Sequence, residues 1–116
     1  MARVSIPVTA LSRAGVAPPA QTDADATNKN QLDSNDGLTW VEIVSTDAGS
    51  QTVGFEIPAT VDGQSVIAKT VTVPAGATRN AGPWPVATYN QSGGPVFIDP
   101  SVSTTLKFRA YRLPLT

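Results

Sequence analysis

Apolar and polar positions alternate in short runs along most of this chain, and turn residues separate the runs. Val4, Ile6 and Val8 alternate with Arg3, Ser5, Pro7 and Thr9, which predicts a strand with one buried face. Pro7 has no N–H to donate and pushes that strand to a sheet edge. From Leu11 to Gly37 the alternation is lost. The run A-P-P-A at 17–20 and the polar stretch at 21–36 predict an extended arm, because a loop of that length in a compact domain is usually functional or mobile.

The alternation returns after the turn residues Asn35, Asp36 and Gly37. Residues 38–46 predict a strand with Val41 and Ile43 on one face and Trp40, Glu42 and Val44 on the other. The run D-A-G-S at 47–50 has hairpin length, and residues 52–57 return with Val53, Phe55 and Ile57 in phase. After Pro58 and the tight turn Asp62-Gly63, residues 65–73 form the next strand. There Ile67, Val71 and Val73 are in phase and Lys69 breaks the row, as at a bulge or a solvent-facing edge. P-A-G at 74–76 turns the chain into a short polar strand at 77–81, which G-P-W-P at 82–85 ends. A flexible connection at 90–95, an apolar strand at 96–98 and a turn at 99–101 follow. The last strand, 106–113, points Leu106, Phe108 and Ala110 inward and Lys107, Arg109 and Tyr111 outward.

β-Branched residues dominate the periodic segments and Gly or Pro interrupts every longer window, so no helix is predicted. The expected fold is all-β: a single antiparallel β-sandwich, jelly-roll-like or Ig-like, with an extended N-terminal arm. Residues 35–116 form its core and residues 1–34 the N-terminal strand plus arm, one domain overall.

Composition narrows the function. Hydrophobic residues make up 41% of the 116 and charged ones 15%, which supports a true core. A net charge of -1 gives nothing to recruit nucleic acid or an anionic membrane. Ser5 and Pro7 interrupt any signal-like apolar run, so synthesis in a cytosol without an export address is expected. The chain has neither Cys nor His. That excludes disulfides and thiolate metal sites and removes the commonest general base and metal ligand. The expectation is a protein without catalytic residues or cofactor.

Three constellations bear on chemistry. Asp23, Asp25, Asn28 and Asn30 crowd one loop as calcium ligands would, but the EF-hand pattern fails at Asn28, where Gly belongs, and at Ser34, where Glu belongs. Glu42 and Glu56 read as neighbours in one hairpin, on the solvent side of one sheet with no cleft, so no glycosidase pair is expected. Trp40, Trp84, Tyr89 and Tyr111 are the residues of a conceivable sugar-stacking platform; aromatics are only 6% of the chain, and the simpler reading makes Trp40 core and Trp84 a rim contact. Charge is also polarised. Asp23, Asp25, Asp33, Asp36 and Asp47 lie in the first half, and no acid follows Asp99, where Lys107, Arg109 and Arg112 lie. This suits docking between copies or onto a charged surface, with a solvated strand face as the plain alternative.

A succession of turn-and-strand motifs is familiar: S-R-A-G-V-A at 12–17, N-D-G-L-T-W-V at 35–41, S-T-D-A at 45–48 and V-D-G at 61–63. T-V-T-V-P-A-G-A-T-R at 70–79 follows, then G-P-W-P, then K-F-R-A-Y-R-L at 107–113. In this the chain resembles the small β-rich capsid decoration, or cement, proteins of tailed phages, particularly phages of actinobacteria. The resemblance implies a virion protein, made in the host cytoplasm, that binds the capsid exterior and staples neighbouring major capsid protein subunits. It implies no catalytic group, cofactor, nucleic acid or membrane, and leaves homotrimer or another homo-oligomer open. Binding several assembled subunits at once would stabilise a shell by linkage and avidity.

On this reading residues 1 to about 30 are expected to pack on the capsid or a neighbouring copy. The candidate partner contacts are Arg3, Arg13, Arg79, Trp84, Tyr89, Lys107 and Arg109. The alternative is a carbohydrate- or receptor-binding sandwich of a phage tail or cell-surface protein, built on Trp84, Tyr89 and the connection at 90–94.

Overall fold

The alternating runs become strands in the computed structural model, which describes residues 2–113. The strands are β1 (Val4–Ser5), β2 (Val8–Ala10), β3 (Thr22–Asp23), β4 (Asn30–Leu32), β5 (Thr39–Ser45) and β6 (Gln51–Phe55). They continue with β7 (Thr60–Val61), β8 (Gln64–Ser65), β9 (Lys69–Val73) and β10 (Thr78–Ala81), then α1 (Val86–Tyr89), β11 (Val96–Pro100) and β12 (Leu106–Arg112). One sheet has the order β1-β4-β11-β6-β9 and the other β10-β5-β12-β2, with β3 also on β12; β7 and β8 form a separate hairpin.

The two sheets bury their apolar faces against each other as an all-β sandwich. The first contributes Leu32, Val53, Phe55, Val73, Val96 and Ile98; the second contributes Val41, Ile43, Ala81, Leu106, Phe108 and Ala110. The strict alternation of β5 and β12 is what commits one face of each to the core. Each large aliphatic or aromatic side chain so buried stabilises the fold by about 1.5–3 kcal/mol.

The structure departs from the sequence expectations in several places. The sheets are mixed rather than purely antiparallel, because β1 pairs parallel with β4 and β2 parallel with β12. The segment 1–34 is not an arm outside a core at 35–116: β1 and β4 lie in one sheet, β2 and β3 in the other, and Ile6, Ala24, Asn30 and Leu32 are buried. Asn30 fixes this region by side-chain bonds: its Oδ1 accepts from the Asp25 amide at 2.9 Å, and its Nδ2 donates to the Val4 and Asp23 carbonyls. Residues 11–21 lie outside the ladders and form a loop that leaves β2 and returns as β3 on the same edge of β12.

The turn after β5 does not make a hairpin either. β5 and β6 belong to different sheets, so this turn carries the chain across the sandwich. Alternation reports which residues are inward and is blind to which sheet they enter. The corner is held by Asp47, whose carboxylate accepts from the Gly49 amide (2.8 Å), Gln51 Nε2 (3.1 Å) and Thr105 Oγ1 (2.9 Å). Lys69 breaks its apolar row because β9 is a sheet edge; the β6–β9 ladder is regular there, with Phe55 opposite Lys69. The one-turn helix α1 was not foreseen; it is too short to carry a periodic signature.

Register orients the whole. The start of β5 and the ends of β6 and β12 share one end of the sandwich with Trp84 and α1. The Asp47 turn, the corner at 74–77 and residues 101–105 share the other.

Candidate functional site

Trp84 is a core residue, not a rim contact. It is 5% exposed and stacks on Phe55 with ring centroids 4.0 Å apart. Tyr89, half-buried, meets it edge-on at 5.0 Å. Asn35 holds the corner: its Nδ2 donates to the Trp84 carbonyl at 2.8 Å and to Asn90 Oδ1 at 2.7 Å, and Asn90 Nδ2 donates back to the Asn35 carbonyl at 2.9 Å. Trp40 takes the opposite role from the one expected. With Val41 and Ile43 inward, β5 must turn Trp40 outward, where it is half-buried beside Tyr111 at 5.7 Å. The four aromatics therefore divide between the interior and the outer face of the second sheet, and no single platform forms.

Arg3 is a clamp within the chain. Its guanidinium donates to Glu56 at 2.7 Å and Asp99 at 2.8 Å, and lies 3.9 Å from the centre of the Phe97 ring. This cluster ties the start of the chain to the outer face of the first sheet. A shared hydrogen bond with Asp99, burial and the Asp99 charge together hold the Glu56 carboxyl above its ordinary range, and Arg3 opposes them. For Asp99, burial pushes upward, but the hydrogen bonds with Glu56 and Arg3 outweigh it and hold the carboxyl low. Glu42 lies on the other sheet and pairs with Arg109, so the two glutamates expected on one hairpin face away from each other across the sandwich.

The charge polarity of the sequence is largely consumed internally. Lys107 pairs with Asp23, Arg109 with Glu42, and Arg112 with Asp36. Arg109 Nε also donates to the Pro19 carbonyl at 3.1 Å, which tethers the 11–21 loop. Such half-exposed pairs each contribute about 0–1 kcal/mol and neutralise the strand that was expected to present a basic face. Asp25 accepts from the amides of Thr27 and Asn28 at 2.9 Å as a turn cap, and Asn30 is buried, so the crowded loop does not converge on a point. Among the described residues no three His, Cys, Asp or Glu side chains are placed to hold a metal ion.

Arg13 and Arg79 remain exposed and, among the described residues, without an ion pair. Arg79 sits opposite Ile43, at an inward-phase position of the edge strand β10, as Lys69 does on the edge strand β9. A cation at that position on a free edge discourages strand addition by another chain.

Sequence reading missed the exposed apolar residues. Among the described residues the large ones are Val8, Val16, Val61, Ile67, Val86 and Leu113; Val61, Ile67, Val86 and Leu113 lie at the Trp84 end, Val8 on the strand β2 that runs toward it, and Val16 on the loop that leaves it. Ile67, expected in phase with Val71 and Val73, is instead 90% exposed, in the excursion between β6 and β9. The opposite end carries polar turns in which Asp25, Asp47, Ser101 and Ser103 bond to nearby amides, with an open hollow lined by Asp23, Asp25, Ser103 and Thr104 beside them. Comparison with protein-family models, curated proteins and solved structures finds no match.

Proposed function

We propose that the chain is a structural protein of a tailed-phage particle that binds the outside of the capsid as a decoration protein and stabilises the shell. The observation that carries this reading is the asymmetry of the two ends. Val61, Ile67, Val86 and Leu113 are exposed at one end, whereas the turns of the other are polar and bonded to backbone amides. Scattered exposed apolar residues need no explanation, whereas their collection at one end of a sandwich suits a docking surface. The motif succession described above supplies the kind of partner, and a chain without His or Cys suits a binding role.

Docking through residues 1 to about 30 as a detachable arm gives way to docking through the Trp84 end, since removing that segment would strip Ile6, Ala24 and Leu32's neighbour strand from the core. The test is co-sedimentation of the full chain with expanded capsids that lack decoration. Saturable binding and a shell more resistant to heat are expected. The double variant Val86→Asp/Leu113→Asp weakens binding, and Ala75→Asp at the opposite end leaves it unchanged. No binding, or equal weakening by Ala75→Asp, refutes the proposal.

A glycan-binding reading draws on Trp40 and Tyr111, half-buried side by side on an open sheet face with Arg109, Glu42 and Asn80 in adjoining register. It requires a Trp40-dependent fluorescence change on titration with polysaccharides.

A further inference from the structure

The chain holds two Asp-Gly pairs, Asp36-Gly37 and Asp62-Gly63, and no Asn-Gly. Before glycine, an aspartate carboxyl can meet the next backbone nitrogen, because glycine has no Cβ to hinder the approach. The fold treats the two pairs in opposite ways.

Asp36-Gly37 is tied at every atom such a meeting would need. Asp36 Oδ1 accepts from the Leu38 amide at 3.0 Å and Oδ2 from Arg112 Nε, and the Gly37 amide donates to Asn35 Oδ1 at 3.1 Å. Val86 Cγ2 stands 3.7 Å from the position a Gly37 Cβ would take, so the pair is also packed from one side. Asp62-Gly63 has none of this. Among the described residues Asp62 is the carboxylate with neither an ion pair nor a hydrogen bond, and the Gly63 amide makes no bond either. Nothing lies within 4 Å of the position a Gly63 Cβ would take. The pair forms the tip of the β7–β8 hairpin, with φ of +53° at Asp62 and +76° at Gly63, a turn suited to a two-residue loop. Every residue from Thr60 to Ser65 is exposed, so the hairpin opens without disturbing the core.

We infer that Asp62-Gly63 is a self-modifying site at which the backbone rearranges to isoaspartate, with water as its only co-reactant. The Gly63 nitrogen bonds to Asp62 Cγ. The carboxyl hydroxyl leaves with the amide proton as water, and a succinimide ring closes. Water then adds at one of the two ring carbonyls. Breaking the bond between nitrogen and Cγ restores aspartate. Breaking the bond between nitrogen and the former main-chain carbonyl carries the chain through Cγ and leaves the old α-carboxyl as the side chain. The product has the same mass and charge, with a methylene moved into the backbone of a tight turn. The sandwich persists, because the hairpin supplies no core residue, while the exposed segment that carries Val61 and leads to Ile67 is reshaped.

Ageing of the full chain tests this. The protein is stored for several weeks at mildly acidic pH, warm but below its melting temperature, and in parallel unfolded in urea. Cleavage after glutamate separates the two sites, since Glu42 and Glu56 lie between them. Electron-transfer fragmentation then locates isoaspartate in each peptide. In the native chain residue 62 should convert at least about tenfold faster than residue 36, because releasing one or two hydrogen bonds at residue 36 suppresses the reaction by that factor. In urea the two should agree within about threefold, both being Asp-Gly in an open chain. Asp62→Glu should abolish the signal at residue 62, and Asp62→Asn should raise it, with ammonia now leaving in place of water. Native conversion at residue 36 equal to or faster than at residue 62 overturns the inference, as does a native residue 62 that stays aspartate while the urea-unfolded chain converts. Capsid binding plays no part in the readout, so this inference stands or falls apart from the decoration proposal.

Discussion

Trp84→Ala is the change that separates a binding corner from a structural one. Trp84 is 5% exposed, lies 4.0 Å from Phe55 between ring centroids and meets Tyr89 at 5.0 Å. Truncating a buried Trp to Ala costs about 3–5 kcal/mol, and losing two aromatic contacts falls within that range. Domains of this size have a total stability of about 5–15 kcal/mol, so the variant retains a fold but a weak one. At a few degrees per kcal/mol the melting temperature drops by roughly 10–20 °C. Trp84→Phe behaves differently. Trp84 Nε1 is buried without a hydrogen-bond partner among the described residues. Phenylalanine loses packing area but also removes that unpaired donor, whose burial costs about 1–3 kcal/mol, so the net change is within about 1.5 kcal/mol. The assay is urea unfolding followed by circular dichroism, with Trp40 emission as a second probe. A loss below about 1 kcal/mol for Trp84→Ala, or a larger loss for Trp84→Phe than for Trp84→Ala, refutes the assignment of Trp84 to the core.

Other outcomes follow from the same geometry. Gly82→Ala should destabilise by about 2–4 kcal/mol, because a Cβ there would sit 2.8 Å from Trp40 Cβ at a backbone φ of +130°; urea unfolding checks it. Arg3→Ala should cost about 1–3 kcal/mol at pH 7, since Glu56 and Asp99 lose their shared cation, and less near pH 4, where a protonated Glu56 no longer repels Asp99. Acid should weaken the native protein: Asp25, Asp33, Asp36, Asp47 and Asp99 are held below their ordinary range, so the stability they contribute is present above about pH 4 and is lost as pH falls through their lowered values. Glu56 has the opposite sign, its contribution being present at low pH and lost as pH rises through its raised value, so the melting temperature plotted against pH should fall in acid and decline slightly above the Glu56 titration.

Much of the fold could be read from residue order. The inward sets of β5, β6, β11 and β12 follow directly from alternation, because one buried face is all that alternation encodes. Partnership between strands was not legible. β1 to β4 are each two or three residues long, too short to show a period, and their places depend on β11 and β12 far along the chain. The same distance hid the ion pairs: Lys107–Asp23 and Arg3–Asp99 join residues from opposite ends of the sequence, so acid and base blocks that looked available to a partner satisfy each other. Trp84 misled because it follows Gly82-Pro83 in a turn-rich stretch, and Trp40 because a large aromatic in a strong strand reads as core even when its neighbours claim the inner face. Ile67 was in phase with Val71 and Val73, yet the ladder ends at Lys69, and phase has no meaning beyond the last paired residue.

The central claim is that this sandwich docks on a capsid by the end that carries Val86 and Leu113. Electron cryo-microscopy of expanded capsids incubated with the full chain tests it most directly. The account predicts added density on the outer surface, fitted by the sandwich with Val86 and Leu113 toward the shell and the Asp47 turn and the corner at 74–77 toward solvent. Bare capsids at saturating protein, or density that contacts the shell through the Asp47 end, would contradict it.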